Sequence, residues 1–253
     1  MTLVLGYPFT FIGASTGWII CSALCMVLGL LTIWCVEQTA EVAGLGSRRV
    51  RERAVLFGGL FLMYAWALPG ARWGHPDDVV ALLCVAVAGR GVVSQRWLVA
   101  AVMIAVAIDA KPWAALVLPL AAACSGKRLR GLVVAMICAG LPWLPFYLLQ
   151  HGHVASLNLP VTADSGLHYL GVAIGASPAW ARELQLAVAL PLGAYAVAKQ
   201  KWYLVSVIAF AVRINLDPVT VPYYTTGVVF GLFAWDVMRP PRFWGGRTAM
   251  GCI

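Results

Sequence analysis

The sequence predicts an all-α polytopic membrane protein, a single transmembrane domain over residues 1–253 with about nine hydrophobic segments, several of them short or half-length. Three observations carry that prediction. Of 253 residues, 62% are hydrophobic and 11% charged, and the mean hydropathy is +0.85, a composition that a water-soluble domain of this length does not normally have. The apolar runs are continuous rather than alternating, which selects helices over barrel strands, the two architectures that satisfy backbone polar groups in lipid. The basic residues punctuate those runs in a one-sided way. Arg48, Arg49, Arg51, Arg53, Arg90, Arg96, Lys127, Arg128, Arg130, Lys199, Lys201, Arg239, Arg242 and Arg247 fall on one side, 14 of the 18 Lys and Arg, and only Arg72, Lys111, Arg182 and Arg213 fall on the other.

That asymmetry orients the chain N-out and C-in in the plasma (inner) membrane. Cytoplasmic basic loops are expected at about 37–53, 90–96, 125–130, 199–201 and 239–253, and outer loops at about 70–78, 150–183 and 213–221. Because the excess of +8 is spread over membrane-flanking loops, it does not indicate a nucleic-acid partner. The partner it implies is the bilayer.

The elements follow in order. Residues 1–16 contain Gly6, Pro8 and Gly13 but no basic residue, so they lack the charged start of a signal peptide and read as an outer-surface segment. Gly17 to Val36 is long enough to cross and enters the basic stretch Ser47 to Arg53, expected as a loop. Ala54 to Pro69 returns outward to the loop that carries Arg72, His75, Asp77 and Asp78, and Asp78 to Gly89 descends to Arg90 and Arg96.

Two apolar arms, Leu98 to Ile108 and Trp113 to Cys124, then flank the polar hinge Asp109-Ala110-Lys111-Pro112. An arm of this length covers about 18 Å of a hydrocarbon layer roughly 30 Å thick, so the hinge lies either partway across or deep in a cavity. Pro112 explains the break, since it has no N–H and pushes Lys111 out of the helical region. A charge near the bilayer centre costs about 2.5–3.5 kcal/mol, so Lys111 is expected to face the bundle interior or water.

Gly131 to Gln150 rises, with a kink expected at Pro142 and Pro145. The polar stretch His151 to Glu183 is expected outside, with a short interfacial piece at Gly166 to Leu170 and a helix start at Ser177-Pro178. Leu184 to Ala198 descends, Trp202 to Val212 rises, Arg213 to Pro222 turns, and Val221 to Met238 descends to a basic tail. No internal repeat is visible, which weakens an inverted-repeat transporter reading.

Seven cysteines lie in apolar runs or at expected cytoplasmic ends, so no disulfide framework is expected. Cys21 and Cys25 share a helix face and read as packing rather than as metal ligands.

The polar residues of the outer side fall in three places. Asp77 and Asp78, with Arg72 and His75 beside them, open a helix. They either stabilise its start through the dipole and free N–H groups, or supply a catalytic base or metal ligand that His75 assists. Lys111 suits a phosphate as a buried point charge, or forms a structural pair with Asp109. Arg213 binds ligand or pairs with Asp217. His151, His153 and His168 read as solvated loop residues with no metal spacing.

The run GHPDD (Gly74 to Asp78), a basic turn, and then AVAIDAKPWAALVLPLA (Ala105 to Ala121) together resemble the integral-membrane GT-C glycosyltransferases, in particular the bacterial polyprenyl-phosphate-mannose-dependent type. DPVTVPYYTTG (Asp217 to Gly227) is similar to a late segment of such proteins. The resemblance covers Tyr7 to Met238 through short motifs. It implies transfer of a mannose-like sugar from a polyprenyl-phosphate donor, with inversion, to an envelope glycolipid or glycan acceptor on the outer face. It also implies Asp77 or Asp78 as the second acidic site and Lys111 near the donor phosphate. From the residues themselves, Arg72, His75 and Arg213 are further substrate-binding candidates, and Asp109 and Asp217 take structural or secondary roles.

In that family a first outer loop carries the base, and this chain reads as beginning after it, a truncated, split or divergent member. A non-catalytic lipid-phosphate-binding or assembly subunit, with a partner chain supplying missing helices, is therefore the second expectation. A lipid-linked-sugar flippase is the third. Paired carboxylates suit Mg²⁺ or Mn²⁺, bound at Asp77 and Asp78, though the sequence requires no cofactor.

Overall fold

The computed structural model describes residues 7–8, 11–45, 47–149, 159–176 and 178–238. All regular structure among the described residues is helical. The order is α1 (Ala14–Val42), α2 (Arg48–Arg72), α3 (Pro76–Val93), α4 (Trp97–Ala110), a 3₁₀ helix (Pro112–Ala122), α5 (Arg128–Gly140), α6 (Leu144–Leu149), α7 (Gly166–Tyr169), α8 (Ala181–Ala198), α9 (Leu204–Leu216) and α10 (Thr225–Met238). Helix α2 contains two π turns, Ala54–Gly58 and Leu68–Arg72. Helices α1 and α2 are long and apolar enough to cross a membrane, while α4, the 3₁₀ helix and α9 are apolar but shorter.

Helix α3 lies at the centre, packed against α1, α4 and the 3₁₀ helix, and 13 of its 18 residues are buried. Its small residues allow this. A Cβ at Gly91 would stand 2.9 Å from the Ala100 nitrogen, and one at Gly89 would meet the Trp202 ring at 3.2 Å. Several polar side chains buried in the apolar bundle donate to backbone carbonyls, because a buried donor without an acceptor is costly. Trp66 Nε1 donates to Cys25 O at 3.0 Å, joining α2 to α1, and Thr226 Oγ1 donates to Ala65 O at 2.7 Å, joining α10 to α2. Thr32 and Thr39 donate back to Leu28 O and Cys35 O, the i−4 carbonyls of their own helix. Cys25 is buried, and a Cβ on Gly70 would lie 2.9 Å from its own Cβ, so it is a packing residue.

Contacts between turns define two ends of the bundle. At the basic end, Gln95 Oε1 accepts from Ser125 N and Oγ, tying the α3–α4 turn to the turn before α5, and the Arg90 guanidinium lies 5.7 Å from the Trp34 ring centre. The opposite end gathers residues 73–75, Lys111 and 217–224. Around the outside, large apolar side chains are exposed, among them Ile19, Leu30 and Trp34 on α1 and Phe57, Leu60 and Tyr64 on α2.

Several expected boundaries move. The stretch Ser47 to Arg53 is not a loop: Arg48–Arg53 forms the first turns of α2, where Arg48 Nε pairs with Glu52 Oε1 at 2.7 Å in i,i+4 register. The loop at 70–78 shrinks to residues 73–75, because α2 runs on to Arg72 and Pro76 already opens α3. Helix α3 likewise extends through Arg90 to Val93, and α9 holds Arg213 to Leu216. Helix α8 starts at Ala181, later than Pro178, and so takes in Arg182 and Glu183.

The break at the hinge stands as expected, and a 3₁₀ turn marks the place where the kink is expected. Lys111 is extended between α4 and the 3₁₀ helix that Pro112 begins, and Leu141–Trp143, containing Pro142, is a 3₁₀ turn between α5 and α6. His151, His153, Ser177, Arg239, Arg242, Arg247 and Cys252 lie outside the described residues.

Candidate functional site

The acidic pair is positioned by the chain just before it. Gly74 adopts φ +62° in a spot where a Cβ would strike the Trp18 ring at 2.6 Å, so only glycine serves there. Pro76 then opens α3, placing Asp77 and Asp78 in the first turn, where free N–H groups and the dipole favour carboxylates. Asp77 Oδ1 accepts from Asp78 N at 3.0 Å, so helix-start stabilisation is one part of its role.

Both carboxylates also reach across to Lys111. Its Nζ lies 3.1 Å from Asp77 Oδ2 and 3.1 Å from Asp78 Oδ2, with all three side chains largely buried, 19% exposed for Lys111, 4% for Asp77 and 6% for Asp78. The break at Pro112 delivers the lysine: Lys111 is extended, φ −144° and ψ 122°, while its own N–H still closes α4 on Ala107 O at 2.9 Å. Two residues on, Trp113 Nε1 donates to Asp78 Oδ1 at 2.7 Å. The expected pairing of Lys111 with Asp109 does not form. Asp109 points elsewhere and accepts from Trp143 Nε1 at 3.0 Å.

His75 stands at the edge, Nδ1 3.9 Å from Asp77 Oδ1 and its ring 4.7 Å from that of Tyr223. His75, Asp77 and Asp78 can each offer a ligand atom, all within 4.8 Å of one another. The Lys111 ammonium already bridges the two carboxylates, so a divalent ion would have to displace it. Arg72 is exposed at the end of α2 and makes no ion pair among the described residues.

A second charged cluster borders the first. Asp217 Oδ2 accepts from Arg182 Nη1 at 2.8 Å and lies 3.9 Å from Arg213 Nε, and Asp217 Oδ1 accepts from Val219 N at 3.3 Å. The Arg213–Asp217 pair expected from the sequence is thus the looser of two. Arg213 instead lies on aromatic rings, its Cζ 3.9 Å from the Tyr224 centre and 5.1 Å from the Trp113 centre. Among the described residues its guanidinium donates no hydrogen bond, and the buried Nε has no hydrogen-bond partner. Asp78, Trp113, Arg213, Tyr223 and Tyr224 line a narrow cleft between the clusters of about 10 Å³, room for about one water molecule.

Five groups with specific roles here escaped the sequence reading: Trp113, Tyr223, Tyr224, Arg182 and Trp143. The available signal was that an indole or phenol beside a charged hinge brings a polar tip needing a partner when buried. His168, expected to be solvated, is half-buried with Nδ1 3.2 Å from Val172 O. No family model matches the chain, and neither the curated proteins nor the solved structures contain a match to it.

Proposed function

We propose that this chain is a multi-pass plasma-membrane sugar transferase of the GT-C kind, moving a mannose-like sugar from a polyprenyl-phosphate donor to an envelope acceptor on the outer face. The membrane part of the reading draws support from α1 and α2, from the apolar side chains exposed around the bundle, and from basic turns gathered at one end. The remaining short helices would cross as kinked or paired pieces, N-out and C-in, for about nine segments. The observation that carries the chemistry is the contact of Lys111 Nζ with both Asp77 and Asp78 at 3.1 Å, at the end of an apolar bundle where such groups are costly and usually functional.

In this mechanism Asp78 is the base, lining the cleft. It takes the proton of an acceptor hydroxyl as that oxygen bonds to the anomeric carbon. The bond from that carbon to the donor's phosphate oxygen breaks, and the polyprenyl phosphate leaves with the electron pair. Lys111 and Trp113 hold the carboxylate in place through the ion pair and the 2.7 Å hydrogen bond. With room for about one water molecule, the cleft is far smaller than the roughly 300–1,000 Å³ of ordinary ligand pockets, so a hexose enters only when Tyr223 swings aside. A divalent ion is not needed for these steps.

That same narrowness, with Lys111 bound by two carboxylates, favours a second reading, a subunit that binds lipid phosphate but transfers nothing by itself. Membranes expressing only this chain, supplied with polyprenyl-phosphate-mannose and native lipid acceptors, separate the two. The transferase reading predicts transfer from these membranes, abolished in Asp78→Asn. Transfer only on co-expression with a second chain would select the subunit, and none under either condition would remove the transferase proposal.

A further inference from the structure

Each cluster holds buried polar atoms without a hydrogen bond, Asp78 Oδ2 with His75 Nδ1 at the first and Arg213 Nε at the second, and among them Arg213 is the guanidinium, a fixed cation with donors to give. Lys111 has two carboxylates for one ammonium. Arg213 and Arg182 share one carboxylate, and Arg182 takes the nearer position on it at 2.8 Å. The Arg213 side chain is only 9% exposed, yet among the described residues none of its guanidinium N–H groups makes a hydrogen bond. Guanidinium carries five donors in a planar fork that matches carboxylate or phosphate oxygens, and buried polar groups are almost always satisfied.

The fork is also held ready. Tyr224 and Trp113 lie against it at 3.9 and 5.1 Å, which fixes its plane without using its donors, and the residue lines the cleft that Asp78 borders.

We infer that Arg213 is an oxyanion-binding residue, and that the cleft takes a phosphate group there rather than at Lys111. Two carboxylates within 3.1 Å of Lys111 Nζ would repel a phosphate approaching it, whereas the Arg182–Arg213–Asp217 cluster carries one positive charge in excess. The choice of a lipid-linked phosphate rests on the proposed function. The anion site itself rests on Arg213.

The test uses the full chain in nanodiscs, with tryptophan fluorescence and thermal stability followed during titration with polyprenyl phosphate and, separately, inorganic phosphate. A saturable response to the lipid is expected, weakened about tenfold or more in Arg213→Met, partly in Arg213→Lys, and not at all in Arg48→Ala. Saturation by inorganic phosphate alone, with the same loss in Arg213→Met, assigns the site to a free phosphate and keeps the oxyanion role. No response of the wild type to either probe overturns the inference, as does wild-type affinity in a folded Arg213→Met protein. Should Arg213→Met fail to insert, Arg213→Lys carries the comparison, and undiminished binding there overturns it too. Phosphate binding at Arg213 without sugar transfer would sink the transferase reading and leave the site. Transfer by Arg213→Met with an unchanged donor KM would do the reverse.

Discussion

The Asp77–Asp78–Lys111 cluster and the Arg182–Arg213–Asp217 cluster sit at the same end of the bundle, separated by the Trp113 ring, and are built in opposite proportions. The first has two acids on one base, both acids buried and the lysine 19% exposed. The second has two bases on one acid, with Arg182 47% exposed. In the first the lone ion of its sign is held at equal distances by both partners. In the second the lone carboxylate is engaged chiefly by Arg182, and Arg213 is left with aromatic faces. A count of charges does not separate a structural pair from a binding group; the arithmetic of partners does.

Removing the first cluster's cation should cost the most. Lys111→Ala strands two adjacent carboxylates in a buried setting and should destabilise the protein by about 3–5 kcal/mol, read from denaturant unfolding in detergent. A loss under about 1 kcal/mol, the scale of a solvated pair, would mean that water takes the lysine's place at the carboxylates. Asp217→Asn removes the only carboxylate of the second cluster. Because water already screens Arg182, a smaller loss of about 1.5–3 kcal/mol is expected from the same measurement.

Trp113→Phe keeps the ring stacked near Arg213 and Phe210 but loses the hydrogen bond to Asp78, with an expected cost of about 1–2 kcal/mol. An unchanged protein would show that water replaces the indole N–H. At the far, basic end, Arg48→Ala removes an ion pair whose arginine is fully solvated, and its melting temperature should match that of the wild type.

How legible this was in the sequence depended on whether the cause was local. The break at Lys111-Pro112 was readable because proline fixes its own φ and restricts the residue before it, and Asp77 and Asp78 at a helix start were readable from Pro76 and the first-turn preference for acids. The basic run Ser47 to Arg53 was misread, since charge density suggested a loop while arginine and glutamate at i,i+4 are good helix formers. Partner choice was not legible. Asp109 stands two residues from Lys111, yet a strand-like residue at 111 turns the lysine away from it and toward carboxylates more than 30 positions earlier. The idle guanidinium of Arg213 was hidden for the same reason, because its i+4 neighbour Asp217 is taken by Arg182 from another helix.

Whether the buried acidic pair does chemistry, or serves only as a structural ion cluster, turns on Asp78→Asn, because asparagine keeps the shape and can still accept from Trp113. Inserted amount, thermal stability and mannose transfer from polyprenyl-phosphate-mannose would be measured on the same membranes beside the wild type. Normal insertion is expected, with transfer reduced at least about a hundredfold, the scale of a lost general base. Wild-type transfer by the Asp78→Asn protein would contradict a catalytic role for the pair.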